Sequence, residues 1–183
     1  MSYQSFQSLA PRVHPSAFIH RGAFLIGAVE VGEESSVWPA AVLRGDMGVI
    51  RIGARTSIQD GCVAHATHDY SETVIGSECT VGHRVVMHGC HVADHCLVGM
   101  GSILLDLAEL GEWCFLGASS LITPGQKFPP RSFILGSPAR RVREVTARET
   151  EWILNSAKSY AELAREYRRE QGSTSSDPVR PGT

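Results

Sequence analysis

An apolar residue recurs at every sixth position over most of this chain, and that period limits its fold more than any other feature. Val13, Ile19, Leu25, Val31, Val37 and Leu43 are evenly spaced. The count resumes at Ile52, Ile58 and Ala64, and again at Ile75, Val81 and Met87. It then runs from Val92 through Val98, Leu104, Leu110 and Leu116 to Ile122. Hydrophobic residues make up 43% of the chain, so a match at all of these positions is not a chance run. The period is the signature of a left-handed parallel β-helix: each hexad forms one side of a triangular prism, and three hexads close a coil.

The fifth hexad position is small throughout: Ala17, Ala23, Val29, Ser35, Ala41, Thr56, Cys62, Cys79, Val85, Cys96, Ser102, Ala108, Cys114 and Ser120. In such a prism this position points inward at a corner, where only a small side chain fits. Four of the five cysteines are thereby read as buried small hydrophobes rather than a disulfide framework. Cys90 falls outside the column, beside His88 and His91, and reads as structural, with a soft metal ligand as the alternative. Glycine at the second hexad position (Gly32, Gly53, Gly99 and others) suits tight turns between short strands.

The organisation expected is an all-β protein with one helix. Residues 1–12 are a lead-in, and 13–127 form about six coils. The repeat ends at Pro124, and Pro129-Pro130 bars its continuation because proline cannot donate to a β-ladder. Residues 128–145 then act as a connector. Thr146 and Glu149 make a capping box for a helix over 146–170, laid along the prism by Trp152, Tyr160, Leu163 and Tyr167. Residues 171–183 are polar and read as a disordered tail. The formal charge of −2 gives no electrostatic case for nucleic acid. With no long apolar run and no leader, the chain is expected to be cytoplasmic, without a membrane partner.

The hexad count breaks between Leu43 and Ile52, between Ala64 and Ile75, and between Met87 and Val92. Each break follows the third hexad of a coil, so three irregular loops are expected at one corner of the prism. One column just after the third-side apolar residue reads Ile26, Arg44, His65, His88, Leu105 and Thr123. His65 and His88 are thus neighbours on adjacent coils, roughly 4.8 Å apart. His83 belongs to a different side, in the column of Asp60. One subunit cannot bring all three histidines together, but His83 of one copy can face the His65/His88 pair of the next. A rotation closing after three copies gives a homotrimer with three interfacial sites. Three histidines and an open position form the catalytic zinc arrangement. Arg44, below His65, and Asp60 are read as a pair locking neighbouring subunits. His68, in the loop after His65, is either a proton shuttle or a solvated side chain. His14, His20, His91 and His95 carry no such register and read as ordinary histidines.

Leu43-Arg44-Gly45-Asp46, Ile58-Gln59-Asp60, His65, and Val81-Gly82-His83 through Met87-His88-Gly89-Cys90 together resemble the γ-class carbonic anhydrases and their close bacterial homologues. Val98-Gly99-Met100-Gly101-Ser102 and Leu135-Gly136-Ser137-Pro138-Ala139 fit the same pattern, and the likeness covers about residues 9–167. The resemblance implies zinc held by His65, His88 and the neighbour's His83, with iron or cobalt as other native metals. It implies that Gln59 orients the zinc-bound hydroxide or CO2, and that Arg44, Asp46 and Asp60 form a network beside the metal. Ser57 stands where active members often carry asparagine. The loop after His65 is short, with His68, Asp69 and Glu72 as substitutes for an acidic shuttle.

The leading expectation is therefore a carbonate dehydratase, a lyase in which metal-bound hydroxide hydrates CO2 to bicarbonate. Two alternatives stand beside it. One is acyl transfer from acetyl-CoA with a histidine as general base, and with Arg140-Arg141 near a CoA phosphate. The other is a non-catalytic metal- or ligand-binding scaffold.

Overall fold

A computed structural model of the chain describes residues 2–173. It is a left-handed parallel β-helix of six complete coils and the start of a seventh, followed by one helix, Ala147–Ser173. Adjacent coils are joined by backbone bonds such as Phe18 N–H to Ser35 O (2.8 Å) and His20 N–H to Val37 O (2.9 Å). The apolar sixth residues meet register for register: Ile58 on Val81, Val81 on Val98, Leu104 on Ile122. Leu25, Leu43, Ile58, Val81, Met87, Leu104, Leu116 and Ile122 are completely or almost completely buried in a single core along the prism axis.

The small fifth position has a second cause besides space. Ser35 Oγ, Thr56 Oγ1, Cys79 Sγ, Cys96 Sγ and Cys114 Sγ each donate to a carbonyl of the coil above: Gly53, Gly76, Ala93, Gly111 and Pro129. All five cysteines are buried and free. Cys90 is fully buried within the core, and burial pushes its thiol up to about 12. The second-position glycines do not serve the turns. Positive φ falls two residues later, on side chains such as Glu34, Arg55, Glu78 and His95. Glycine is needed at Gly32 because a Cβ there would come within 2.7 Å of the Gly53 carbonyl on the next coil.

Three expectations about the course of the chain need correction. The first interruption is no irregular loop: Val42–Ile52 is one strand that turns the corner, paired with Phe24–Val31 through a register shift beside Gly27. Gly45 makes that approach possible, since a Cβ would lie 2.4 Å from Ala28 O. Residues 1–12 are not merely a lead-in, because Ser2–Gln4 pairs with Phe24–Ile26. The repeat does not stop at Pro124 either. Lys127–Phe128 and Ser132–Gly136 stack in register on Glu109–Leu110 and Phe115–Leu116, and Ala139–Glu144 folds back antiparallel. Pro129 is accommodated because Lys127–Phe128 is the last strand of its sheet, so no coil follows to need its N–H.

The helix is capped as its sequence indicates. Glu149 accepts from the Thr146 N–H (2.8 Å), and Arg143 adds two bonds to the same carboxylate (2.7 and 2.8 Å). Its packing face is wider than the expected stripe, with Trp152 on Phe115 at one end. Ile153, Ala157, Ala161 and Ala164 are the buried residues, while Trp152, Leu163 and Tyr167 stay exposed. Alanines let the helix axis lie close on the second side of the prism, and Tyr160 and Tyr167 reach the edge of the Trp38 ring. Among the described residues no helix is long and apolar enough to cross a membrane. Of the expected tail, 171–173 continue the helix; the remainder lies outside the described residues.

Candidate functional site

On the third side of the prism, Val63–His65 pairs with Val86–His88 so that His65 and His88 are direct register partners. Side chains alternate along each strand: Ala64 and Met87 turn inward, and the histidines turn outward. His65 Nδ1 and His88 Nε2 are 3.2 Å apart. Each ring is backed by a carboxylate at its other nitrogen. Asp46 Oδ1 lies 3.1 Å from His65 Nε2, and Asp106 Oδ2 lies 3.2 Å from His88 Nδ1.

Asp46 is held in turn by Arg44, whose Nη1 donates to both carboxylate oxygens (2.9 and 2.7 Å). Burial would raise the Asp46 carboxyl, but hydrogen bonds from Arg44 and His65 outweigh it and keep it below its ordinary value. Burial also dominates at His65 and lowers the imidazole, so the ring is neutral near pH 7. Burial acts on Asp106 too, but the Ser71 hydroxyl and the neighbouring His88 hold it ionised.

These contacts fix where the ring protons lie. An ionised carboxylate can only accept, so the His65 proton sits on Nε2 and the His88 proton on Nδ1. The two facing nitrogens therefore both present lone pairs. Two acceptors 3.2 Å apart repel unless a cation or a further proton lies between them. Two nitrogen ligands on a tetrahedral ion with bonds of about 2.0–2.1 Å stand roughly 3.3–3.4 Å apart, so the pair fits two positions on a divalent metal. The carboxylates behind the rings are the usual outer partners of metal-binding histidines.

The third histidine is elsewhere. His83 is half-exposed, with its Nδ1 2.9 Å from Asp60 Oδ2. Among the described residues no group of three histidine, cysteine or acidic side chains is close enough to hold a metal within one chain. Arg44 and Asp60, expected to pair across subunits, each have a partner within the chain. Ser57 is buried and accepts from Trp38 Nε1 (3.0 Å), so it anchors the ring beneath the helix. Gln59 is buried on the same helix-covered side of the prism. His68 is exposed in the 66–72 loop, 3.3 Å from Asp69. Arg141 is tied to Ser132 Oγ and Glu144, and Arg140 to the Ala139 carbonyl. Asp106 escaped the sequence reading. The signal for it was the single short hexad, five residues from Met87 to Val92, whose Gly89 (φ +64°) opens room for the Asp106 carboxylate.

The stacked hexads place the chain among the hexapeptide-repeat proteins. No protein-family model matches it, but individual proteins do. It is 40% identical to the carnitine operon protein CaiE of Escherichia coli (strain K12) over 163 residues, covering 89% of this chain and 83% of that one. To the CaiE of Salmonella agona it is 41% identical over 164 residues, covering 90% and 82%. A solved Bacillus cereus structure, provisionally named an acetyltransferase, superposes with a TM-score of 0.90 at 39% identity, covering 92% of this chain and 97% of that one. A hexapeptide transferase family protein of Anaplasma phagocytophilum gives 0.87 at 37%, covering 91% and 98%. The chain belongs to the CaiE family, within the hexapeptide-repeat transferase superfamily. These relatives are named for acetyl transfer or for the carnitine operon, not for CO2 hydration. The expected carbonate dehydratase is thereby overturned.

Proposed function

We propose that this chain transfers an acyl group from a thioester carrier to a small acceptor at the His65–His88 pair. The observation that carries the reading is the meeting of two carboxylate-backed histidines whose lone pairs converge at 3.2 Å. The names of the relatives point the same way. A histidine with a carboxylate behind it is the general base that acyl transfer needs. One of the two facing nitrogens takes the proton from the acceptor's amine or hydroxyl as that atom attacks the acyl carbonyl. The new C–N or C–O bond forms, the C–S bond breaks, and the imidazolium returns the proton to the departing thiolate. Asp46 or Asp106 stabilises the imidazolium meanwhile, and Arg44 keeps Asp46 aimed.

The 3.2 Å separation favours a second reading of the same residues, as ligands of zinc, iron or cobalt. His65 and His88 of one copy and His83 of a neighbour would hold the ion, with Asp60 orienting His83 outward. Beside the histidines an outward column of Phe24, Val42, Val63, Val86, Ile103 and Leu121 offers the apolar surface on which a homotrimer would pack. The bound metal would supply Lewis-acid polarisation of the acyl carbonyl. The two readings part at the lone pairs, which a ligand shares and a base keeps free.

Thiol release from acetyl-CoA, measured over a panel of amine and hydroxyl acceptors before and after chelation, tests both. Acceptor-dependent release that survives chelation supports the base. Release lost on chelation and restored by zinc supports the metal. No release with any acceptor, in either state, rejects acyl transfer.

A further inference from the structure

Asp106 accepts three side-chain hydrogen bonds. Ser71 Oγ donates to Oδ1 (2.5 Å), Thr67 Oγ1 donates to Oδ2 (3.3 Å), and His88 Nδ1 lies 3.2 Å from Oδ2. The two hydroxyls come from the 66–72 loop, and the carboxylate from the coil after that of His88. Backbone room for this meeting exists only because residue 89 is glycine: a Cβ there would come 2.1 Å from Asp106 Oδ1 and 2.2 Å from Ser71 Oγ. Thr73 Oγ1 secures the loop's far end, donating to His65 O (2.6 Å) and accepting from Gly89 N–H (2.9 Å).

We infer that Asp106 is the positioning residue of this site: it fixes the tautomer of His88, and through Ser71 and Thr67 it couples that tautomer to the 66–72 loop. The inference rests on the reading of His65–His88 as the reaction centre. A neutral imidazole free of other influences favours the proton on Nε2. At His88 that form would point an N–H at His65 Nδ1, 3.2 Å away, and the two rings would satisfy each other. The site would close into an internal hydrogen bond, with no free lone pair left on either facing nitrogen for a substrate proton or a metal. Asp106, accepting at Nδ1, holds His88 in the other tautomer and keeps the pair open. Asp46, at Nε2 of His65, reinforces the tautomer an unperturbed ring already prefers, so the open state turns on Asp106.

The test is the histidine tautomer itself, read by long-range proton–nitrogen correlation spectra of the metal-free full chain at a pH where both rings are neutral. In the unaltered protein His88 carries its proton on Nδ1. Asp106→Ala moves it to Nε2, and Asp106→Asn, which preserves shape, lowers the Nδ1–H share. Ser71→Ala gives a smaller shift in the same direction. A competition titration with Zn2+ is expected to show affinity 10–100-fold weaker in both Asp106 variants. An Nε2–H tautomer in the unaltered protein, or no change in either Asp106 variant, overturns the inference. If the tautomer moves as stated while no acceptor is acylated, the positioning role stands and the acyl-transfer reading falls. If transfer occurs and the tautomer ignores Asp106, the reverse holds.

Discussion

Two corners of the same prism stack their side chains by the same geometry and reach opposite chemical ends. At the corner between the first and second sides, Ser35, Thr56, Cys79, Cys96 and Cys114 each place a donor on a carbonyl of the coil above, at 2.5–3.3 Å. Nothing there is left to react. On the third side, the same one-coil step sets His65 against His88, acceptor facing acceptor. A regular repeat makes a closed ladder when donor and acceptor alternate along it. It makes a site when two like groups are stacked and each is held in place from behind. The Asp46 and Asp106 carboxylates are what distinguish the second case from the first.

The largest expected contrast comes from removing one ring. His65→Ala or His88→Ala should lower acyl transfer by about 10²–10⁴-fold, read as thiol release, with melting temperature nearly unchanged. Leu104, fully buried at the centre of the core, should show the converse. Leu104→Ala is expected to cost about 2–5 kcal/mol in denaturant unfolding. At the satisfied corner, Cys96→Ala should cost only about 1 kcal/mol and leave activity intact. The thiols sharpen the same point. Burial pushes Cys62 up to about 11 and Cys90 up to about 12, so a thiol reagent should label them only on unfolding.

The smallest effect lies away from both corners. Arg143 holds the Glu149 carboxyl down to about 2, from an ordinary value near 4.5. A depressed acid stabilises the fold above its unfolded value and loses that contribution as pH falls through the folded one. Helix stability should therefore be constant above about pH 4.5 and decline toward about pH 2. Glu149→Gln should flatten the decline, at a loss on the order of 1 kcal/mol at neutral pH.

What the sequence discloses follows from the repeat. Because every sixth residue is apolar, the register of Ile58, Val81 and Val98, and the pairing of His65 with His88, can be counted without coordinates. Counting fails where the hexad changes length. Asp106 is two residues past Leu104, in regular spacing, yet it meets Ser71 only because the coil below it is one residue short at Gly89. The prolines misled for a related reason: Pro129 forbids a following coil, not the strand on which it stands. The helix stripe was read too narrowly: Trp152, Tyr160 and Tyr167 do meet rings of the prism, but the close approach belongs to the alanines. The resemblance picked out the histidines but carried an activity for which these relatives are not named.

A stack of parallel coils has no intrinsic length. Each finished coil presents a fresh row of backbone donors and acceptors, as a growing fibril tip does, and another chain could add there. Pro129-Pro130 withholds the donors on one side. The Ala139–Glu144 strand, running against the others, occupies the second, and Gln126 reaches from the third to the Ala139 carbonyl at 2.9 Å. Those few residues past the last hexad cover the end of the stack. A variant that restored a regular hexad in place of Pro129-Pro130 would be the one to watch for end-to-end growth.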